Sequence, residues 1–221
     1  MKDGISLGRG ILWVIVWFGF MLLYTTLDVV LWRKLPPVYG KYMNLFSIIF
    51  CIFVFLVLLI KENRFKLNLS ANISFHGILL ALGCAILFYF LLDKGLDPIF
   101  EKFFPVSEEG YQQTLKSLST TPITSLVQVC ILAPFIEEIL MRGFLLSGLT
   151  LNYGKVIALF VSSMLFALLH FNMVQTLSAF ICGLVLGLLY LHTGSIFCCI
   201  LTHVGYNLIS YVTMILPLYS K

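Results

Sequence analysis

The fold of this chain is decided by residues 133–143, which read APFIEEILMRG. This segment lies inside a longer apolar run, 122–149, yet it holds three charged side chains, Glu137, Glu138 and Arg142. Each of them would cost roughly 2.5–3.5 kcal/mol at the centre of a membrane helix. Glu138 and Arg142 are four residues apart, so they share a helical face and can pair. Glu137 points about 100° away and lacks that partner, which makes it the candidate for proton transfer.

The rest of the chain has the composition of a membrane protein. It has 221 residues, of which 11% are charged and 60% are hydrophobic, whereas about 25% of the residues of a soluble domain are charged. This composition excludes a disordered chain, a nucleic-acid binder and an ordinary cytosolic enzyme. Crossing the hydrocarbon core of a bilayer takes about 20 residues. The predicted membrane spans are 11–32, 42–60, 73–92, 122–149, 156–171, 174–192 and 195–216.

These spans predict an all-α fold, a polytopic transmembrane helical bundle of about seven to eight helices that forms a single integral membrane domain over residues 1–221. The only charged residues inside the spans are Asp28 and the three of the opening segment. Asp28 lies near the end of the first span, where we expect it to pair with Arg33 or to face an internal water. Ionisable residues at membrane depth are functional candidates by default.

Two features outside the charged segment bear on packing and access. The longest connection, 93–121, is expected to carry a short surface helix over 111–118; it is either a lid over the site or a plain tether, and we favour the tether. The sixth span has Ala179, Gly183 and Gly187 at four-residue spacing. A stripe of small residues lets helices approach closely, so we expect this face of the sixth span to pack inside the bundle.

Two polar pairs lie on the late spans. Phe166 and His170 are four residues apart on the fifth span, and His203 and Asn207 are four apart on the seventh. Short loops make the last four spans alternate in direction, so that the depths of these polar residues and of Glu137 can be compared from one face. The depths are about 12 to 21 Å in a core about 30 Å thick. Their convergence predicts one polar site between the last four helices.

The residue types at this site suit hydrolysis of an amide by an activated water. Glu137 is a general base, and His170 is an imidazole that can share the proton transfer. His203 and Asn207 can donate hydrogen bonds to an oxyanion. Two other interpretations stay open: a buried salt bridge beside an inert, protonated Glu137, and a proton relay in a transporter.

The three motifs Glu-Glu-x-x-x-Arg, Phe-x-x-x-His and His-x-x-x-Asn, in this order on late helices, resemble the CPBP family. This group comprises type II CAAX prenyl endopeptidases and bacterial bacteriocin-processing and immunity (Abi) proteins. The resemblance covers residues 122–210, which it marks as the catalytic core. It implies an intramembrane endopeptidase that hydrolyses a peptide bond of a membrane-associated or lipidated peptide or protein. The implied catalytic residues are Glu137, His170, His203 and Asn207, and the implied supporting residues are Glu138, Arg142 and Phe166.

The resemblance leaves two alternatives. Members are often described as metalloproteases, and Glu137, His170 and His203 could hold Zn²⁺ with a water in the open position. The chain has no HExxH motif, and the resemblance to type II prenyl endopeptidases implies a metal-free glutamate mechanism, so we prefer no metal and no cofactor. The family also contains non-proteolytic scaffold and bacteriocin-immunity proteins, which form the alternative function.

The compact length resembles that of bacterial members and implies a multi-pass protein of a bacterial plasma membrane. The expected partners are membrane lipids and a peptide or protein substrate. The sequence does not predict the oligomeric state.

Overall fold

The protein is a bundle of helices. The computed structural model describes residues 4–63, 65–215 and 217, and no strand occurs in these ranges. The predicted all-α fold is thus confirmed. The α-helices are α1 Leu7–Val30, α2 Pro37–Asn63, α3 Phe75–Phe88, α4 Asp97–Phe103, α5 Pro105–Ser119, α6 Pro122–Leu126, α7 Ala133–Glu138, α8 Ser147–Leu168, α9 Met173–Thr193 and α10 Ile196–Ser210. A 3₁₀ turn covers Trp32–Lys34, and π-helical segments cover Tyr89–Leu96, Val127–Leu132, Ile139–Leu146 and Tyr211–Ile215.

Six helices in the described part of the chain are long and apolar enough to cross a membrane. They are Leu7–Lys34, Val38–Glu62, Phe75–Phe103, Pro122–Leu168, Met173–Thr193 and Ile196–Met214. The bundle is therefore polytopic, as predicted. Leu216, the last residue of the predicted seventh span, lies outside the described residues.

The fourth of these helices joins two spans that were predicted separately. It runs over 47 residues, Pro122–Leu168, which is too long for one straight crossing. Gly154 interrupts it with a φ of 78° and a ψ of 165°, a conformation that glycine adopts readily. Leu146 and Leu159 both pack against Gly187, although 13 residues of straight helix would separate them by about 20 Å. The chain therefore reverses direction, and the two arms are the predicted fourth and fifth spans.

Capping residues hold both ends of α9 and the start of α10. Asn172 begins α9 by accepting a hydrogen bond from the backbone N–H of Gln175. Gly194 ends it in the left-handed conformation, with a φ of 67°, and its carbonyl accepts from the side-chain amide of Asn72 across 3.1 Å. Ser195 then caps α10. These caps satisfy backbone groups that a helix leaves free at its ends, and they set α10 beside α9.

The stripe of small residues on α9 packs inside the bundle, as predicted. A Cβ atom on Gly183 would lie 3.0 Å from the Cβ of Ser163, and a Cβ on Gly187 would overlap the side chain of Leu159. Both contacts are with α8. The close approach of these two helices brings the arm that carries His170 against the centre of the bundle.

The opposite side of the bundle is closed by aromatic residues of α1 and α2. Trp13 and Trp17 of α1 are buried and pack on Phe55 of α2, with ring centroids 5.8 and 4.9 Å away. Phe144 of the fourth span contacts Trp13 at 6.4 Å. Because aromatic pairs add to the burial of apolar area, this cluster fixes α1 and α2 against the spans that carry the motifs.

Candidate active site

Two π-helical segments flank α7 and shape the site. Ala133 donates its backbone N–H to the carbonyl of Gln128, five residues earlier. In this register the next carbonyl, that of Val129, would accept from residue 134, but Pro134 has no N–H. The free carbonyl accepts a hydrogen bond from Nδ2 of Asn207 across 2.9 Å. Pro134 thus does more than bend the helix, since it leaves an acceptor that orients Asn207.

Glu138 lies at the centre of a buried ionic network. Its side chain is fully buried, and Oε1 accepts from Nη1 of Arg142 at 2.9 Å and from Nδ1 of His203 at 2.8 Å. Arg142 also donates from Nη2 to the carbonyl of Gly183 at 3.2 Å. Breaking a buried pair leaves an uncompensated charge, so each of these groups keeps the others in place.

Phe166 contacts all three cationic or potentially cationic residues of the motifs. The guanidinium of Arg142 lies 4.8 Å from the centre of its ring. The imidazoles of His170 and His203 stand edge-on to the same ring, at centroid distances of 5.1 and 5.8 Å. Because Phe166 is almost fully buried, its ring fixes the relative positions of these side chains.

Glu137 is the more accessible carboxylate of the pair. Its side chain keeps 19% of its exposure, and Oε2 lies 3.9 Å from Nε2 of His203. Unlike Glu138 it has no hydrogen bond to another side chain in the described residues, which leaves its oxygens free for a water or a substrate.

His170 lies just beyond the end of α8, not within a continuous helix as the sequence suggested. The helix ends at Leu168, and Nδ1 of His170 donates to the carbonyl of Phe166 at 3.1 Å, one of the acceptors that a helix end leaves free. Because a carbonyl only accepts, this bond places a proton on Nδ1, and the lone pair of the neutral imidazole is then on Nε2. His170 is therefore set to accept a proton through Nε2.

One cavity of about 440 Å³ brings the predicted catalytic residues together. It is lined by Glu137, Phe166, His170, His203 and Asn207. Its volume is within the range of about 300–1,000 Å³ that small-molecule sites have. A second cavity of about 340 Å³ is lined mainly by apolar residues of α1 and α2 and shares Glu137 with the first.

The connection 93–121 covers the first cavity. It is helical as α4 and α5, and α5 contributes Tyr111, Thr114, Leu115 and Leu118 to the lining. Burial raises the pKa of the Tyr111 phenol far above its usual value, and the negative charges of Asp97 and Asp93 act in the same direction. Tyr111 therefore stays a neutral group. The connection does more than tether two spans, since it forms a wall of the site.

Sequence reasoning missed several polar residues at this wall. Asp97 lines the cavity and accepts a hydrogen bond from the hydroxyl of Ser178. Asp93 is buried and accepts from Tyr206 at 2.7 Å and from Ser210. Both acids lie beyond residue 92, where the predicted third span ends. In the structure the helix continues to Phe103, so the two acids lie within it. Gln128 also lines the cavity and belongs to no motif.

The alternative of a metal ion concerns Glu137, His170 and His203. Within the described ranges, no three His, Cys, Asp or Glu side chains converge as a metal site requires. Nδ1 of His203 is bonded to Glu138, and Nδ1 of His170 is bonded to a backbone carbonyl, so each ring can bind a further group only through Nε2. The mechanism proposed below uses the two histidines and Glu137 without a metal ion.

Comparison with known families assigns the second half of the chain to a class. Residues 119–209 match the model described as Type II CAAX prenyl endopeptidase Rce1-like. The match agrees with the resemblance that the motifs indicated, and the matched segment contains all seven motif residues. No curated protein and no solved structure matches the chain. The apolar helices indicate a multi-pass membrane protein, and the matched model is that of a membrane protease family.

Proposed function

We propose that the protein is an intramembrane endopeptidase that hydrolyses a peptide bond of a membrane-associated or lipidated peptide or protein. The observation that carries the proposal is the single cavity lined by Glu137, His170, His203 and Asn207. Polar groups that converge inside an apolar bundle are costly, and this set includes both proton acceptors and hydrogen-bond donors.

The first step is activation of water by Glu137 and His170. The Glu137 carboxylate accepts one proton of a water while Nε2 of His170 accepts a hydrogen bond from the other. The hydroxide attacks the carbonyl carbon of the peptide bond and forms a tetrahedral oxyanion. Collapse of this intermediate breaks the C–N bond, and the proton held by Glu137 passes to the leaving amine. Atoms and charges balance without a covalent enzyme intermediate.

The oxyanion is stabilised by His203 and Asn207. Asn207 uses one N–H for the Val129 carbonyl and keeps the second for the substrate. Nδ1 of His203 is engaged with Glu138, so His203 can donate to an oxyanion only from a protonated Nε2. An imidazolium there makes the group of Glu137, Glu138, Arg142 and His203 neutral overall, which suits a low-dielectric site.

The second cavity supports a substrate with an apolar part. It meets the first cavity at Glu137, and its other lining residues include Trp17, Leu22, Ile52 and Phe171. An apolar side chain or an attached lipid can occupy it while the peptide bond lies at Glu137. The proposal includes a location in a bacterial plasma membrane, from the resemblance of the compact chain to bacterial members.

The test compares the peptides in membranes and culture medium from cells that express wild-type protein or Glu137→Gln. We expect a precursor to accumulate in the Glu137→Gln cells and its product to disappear. Glu109→Gln, which changes an exposed carboxylate on α5, is the matched control and should behave like the wild type. Purified wild-type protein in detergent should then cleave the precursor, and His170→Ala should not.

An unchanged peptide pattern in cells that express Glu137→Gln or His170→Ala would contradict proteolysis. If those variants also keep full activity in cells, the protein is a scaffold or an immunity partner, and the motifs serve its structure alone.

A further inference from the structure

Gln128 lines the cavity but belongs to none of the motifs. It lies on the π-helical segment before α7, half-buried, and its Nε2 donates to Oδ1 of Asn44 at 2.5 Å and to the hydroxyl of Tyr24 at 3.4 Å. These bonds join the fourth span to α1 and α2. They also determine which end of the Gln128 amide faces Asn44.

The orientation of the side-chain amides in this hydrogen-bond network is set at the protein surface. Asp28 is held by Nε of Arg33 at 2.8 Å, and its other oxygen accepts from Nδ2 of Asn44 at 2.5 Å. An ionised carboxylate only accepts hydrogen bonds, so the Asn44 amide nitrogen must face Asp28. The Asn44 oxygen then faces the opposite way, where it accepts from the Tyr24 hydroxyl at 2.9 Å and from Gln128.

As a consequence, the nitrogen and the oxygen of the Gln128 amide have different surroundings, and Gln128 itself lines the cavity. Its amide nitrogen faces Asn44, because the oxygen of Asn44 can only accept. Oε1 of Gln128 accepts no hydrogen bond from residues 4–63, 65–215 or 217, and it is accessible rather than buried. The chain Arg33–Asp28–Asn44 thus fixes an amide that would otherwise be free to turn over.

Gln128 and the donor Asn207 line the same cavity. Val129 follows Gln128 directly, and its carbonyl holds the Asn207 amide. A peptide chain that passes through the cavity carries both C=O acceptors and N–H donors, and its N–H groups lose free energy if they are buried without an acceptor. Gln128 is separated from Glu137 by nine residues, or about 13 Å of helix, which equals about four residues of extended peptide.

We propose that Gln128 is a positioning residue that accepts a hydrogen bond from one backbone N–H of the substrate, about four residues from the cleaved bond. The inference rests on the proposed function and deepens it, because it defines the substrate as an extended chain of secondary amides. A proline or an N-methylated residue at that position is disfavoured.

The experiment uses the purified protein in detergent micelles and a pool of sequence-randomised decapeptides, each made with and without an attached acyl chain, because the proposed substrate is membrane-associated or lipidated. The peptide that is cleaved best is made again with each backbone amide other than the cleaved one replaced by an ester, which removes a single N–H. We expect one ester, about four residues from the cleaved bond, to lower the kcat/KM of the wild type about tenfold through KM, as a lost hydrogen bond does. Gln128→Ala should show the same loss on the all-amide peptide and no further loss with that ester.

Ser47→Ala is the matched control. It removes the hydrogen bond from Nε1 of Trp32, at 2.9 Å, at the same helix junction but away from the cavity, and it should leave every kinetic constant within twofold. Asn44→Ala keeps Gln128 but frees its amide to turn over, so it should reduce the sensitivity to that one ester. This variant also carries the test if Gln128→Ala does not fold.

The two proposals fail separately. The role of Gln128 alone is overturned if the wild type cleaves, Glu137→Gln does not, and no ester lowers kcat/KM. It is also overturned if the ester lowers kcat/KM in Gln128→Ala as much as it does in the wild type. If no peptide is cleaved, or if Glu137→Gln cleaves as fast as the wild type, the proposed function is overturned and the role of Gln128 with it.

Discussion

Asn207 donates its side-chain N–H to the carbonyl of Val129 across 2.9 Å, and it can do so because Pro134 cannot. The residue that interrupts one helix thereby orients a side chain of another. Pro134 thus acts through the carbonyl acceptor that it leaves free. A substitution of Pro134 can therefore change the reaction even if this residue does not touch the substrate.

Pro134→Ala should lower kcat without unfolding the protein. Alanine restores an N–H that competes for the Val129 carbonyl, and Asn207 loses its fixed orientation. Because small misplacements in a catalytic group cost up to about a hundredfold in rate, we expect a decrease of roughly tenfold to a hundredfold in kcat, measured on the cleaved peptide. Pro105→Ala, at the first turn of α5 where no N–H is needed, is the control. Wild-type kcat in Pro134→Ala would contradict the orienting role.

Asn207→Ala should lower kcat and leave KM nearly unchanged. The amide is proposed to bind the oxyanion, which exists only in the transition state and in the intermediate, and loss of one such donor costs about 10²–10³ in kcat. Steady-state kinetics on one peptide separate the two constants. A rise in KM at constant kcat would instead assign Asn207 to ground-state binding.

The two neighbouring glutamates should differ sharply in their effect on stability. Glu138→Ala leaves the buried Arg142 without its partner, which costs about 3–5 kcal/mol, whereas the Glu137 side chain is partly exposed and lacks such a pair. Unfolding by denaturant in mixed micelles measures the free energy of unfolding of both variants. Glu138→Leu combined with Arg142→Met should recover much of the loss, because buried ion pairs are often replaceable by apolar residues. Equal stabilities of Glu137→Ala and Glu138→Ala would refute this division of roles.

Gly183→Ala should destabilise the bundle and slow the reaction together. The new methyl group lies 3.0 Å from the Cβ of Ser163 and 3.1 Å from its Cα, so α8 and α9 must separate, at a cost of about 1–3 kcal/mol. The Gly183 carbonyl, which binds Arg142, moves with them. Gly83→Ala places a methyl group in open space on α3 and should be neutral or slightly stabilising. A wild-type melting temperature in Gly183→Ala would show that the packing tolerates the methyl group.

Much of this arrangement follows from local sequence. The apolar spans, the pairing of Glu138 with Arg142 and of Asp28 with Arg33, and the inward face of Gly183 and Gly187 depend on residues that are close in the chain or on helical period, and all are found in the structure. The depth of the polar residues also predicted their convergence on one cavity, because depth in a membrane is set by distance along a helix.

Contacts between helices that are distant in sequence could not be predicted from helical period or depth. The bond from His203 to Glu138, the wall formed by α5 and the network from Arg33 to Gln128 each depend on how the helices turn about their axes and which of them are neighbours. The sequence determined that this protein lies in a membrane and carries a glutamate-centred polar site. Tertiary packing decided that Glu138 also binds His203 and that Glu137 lines the cavity, because the neighbours of each carboxylate on other helices depend on how those helices pack.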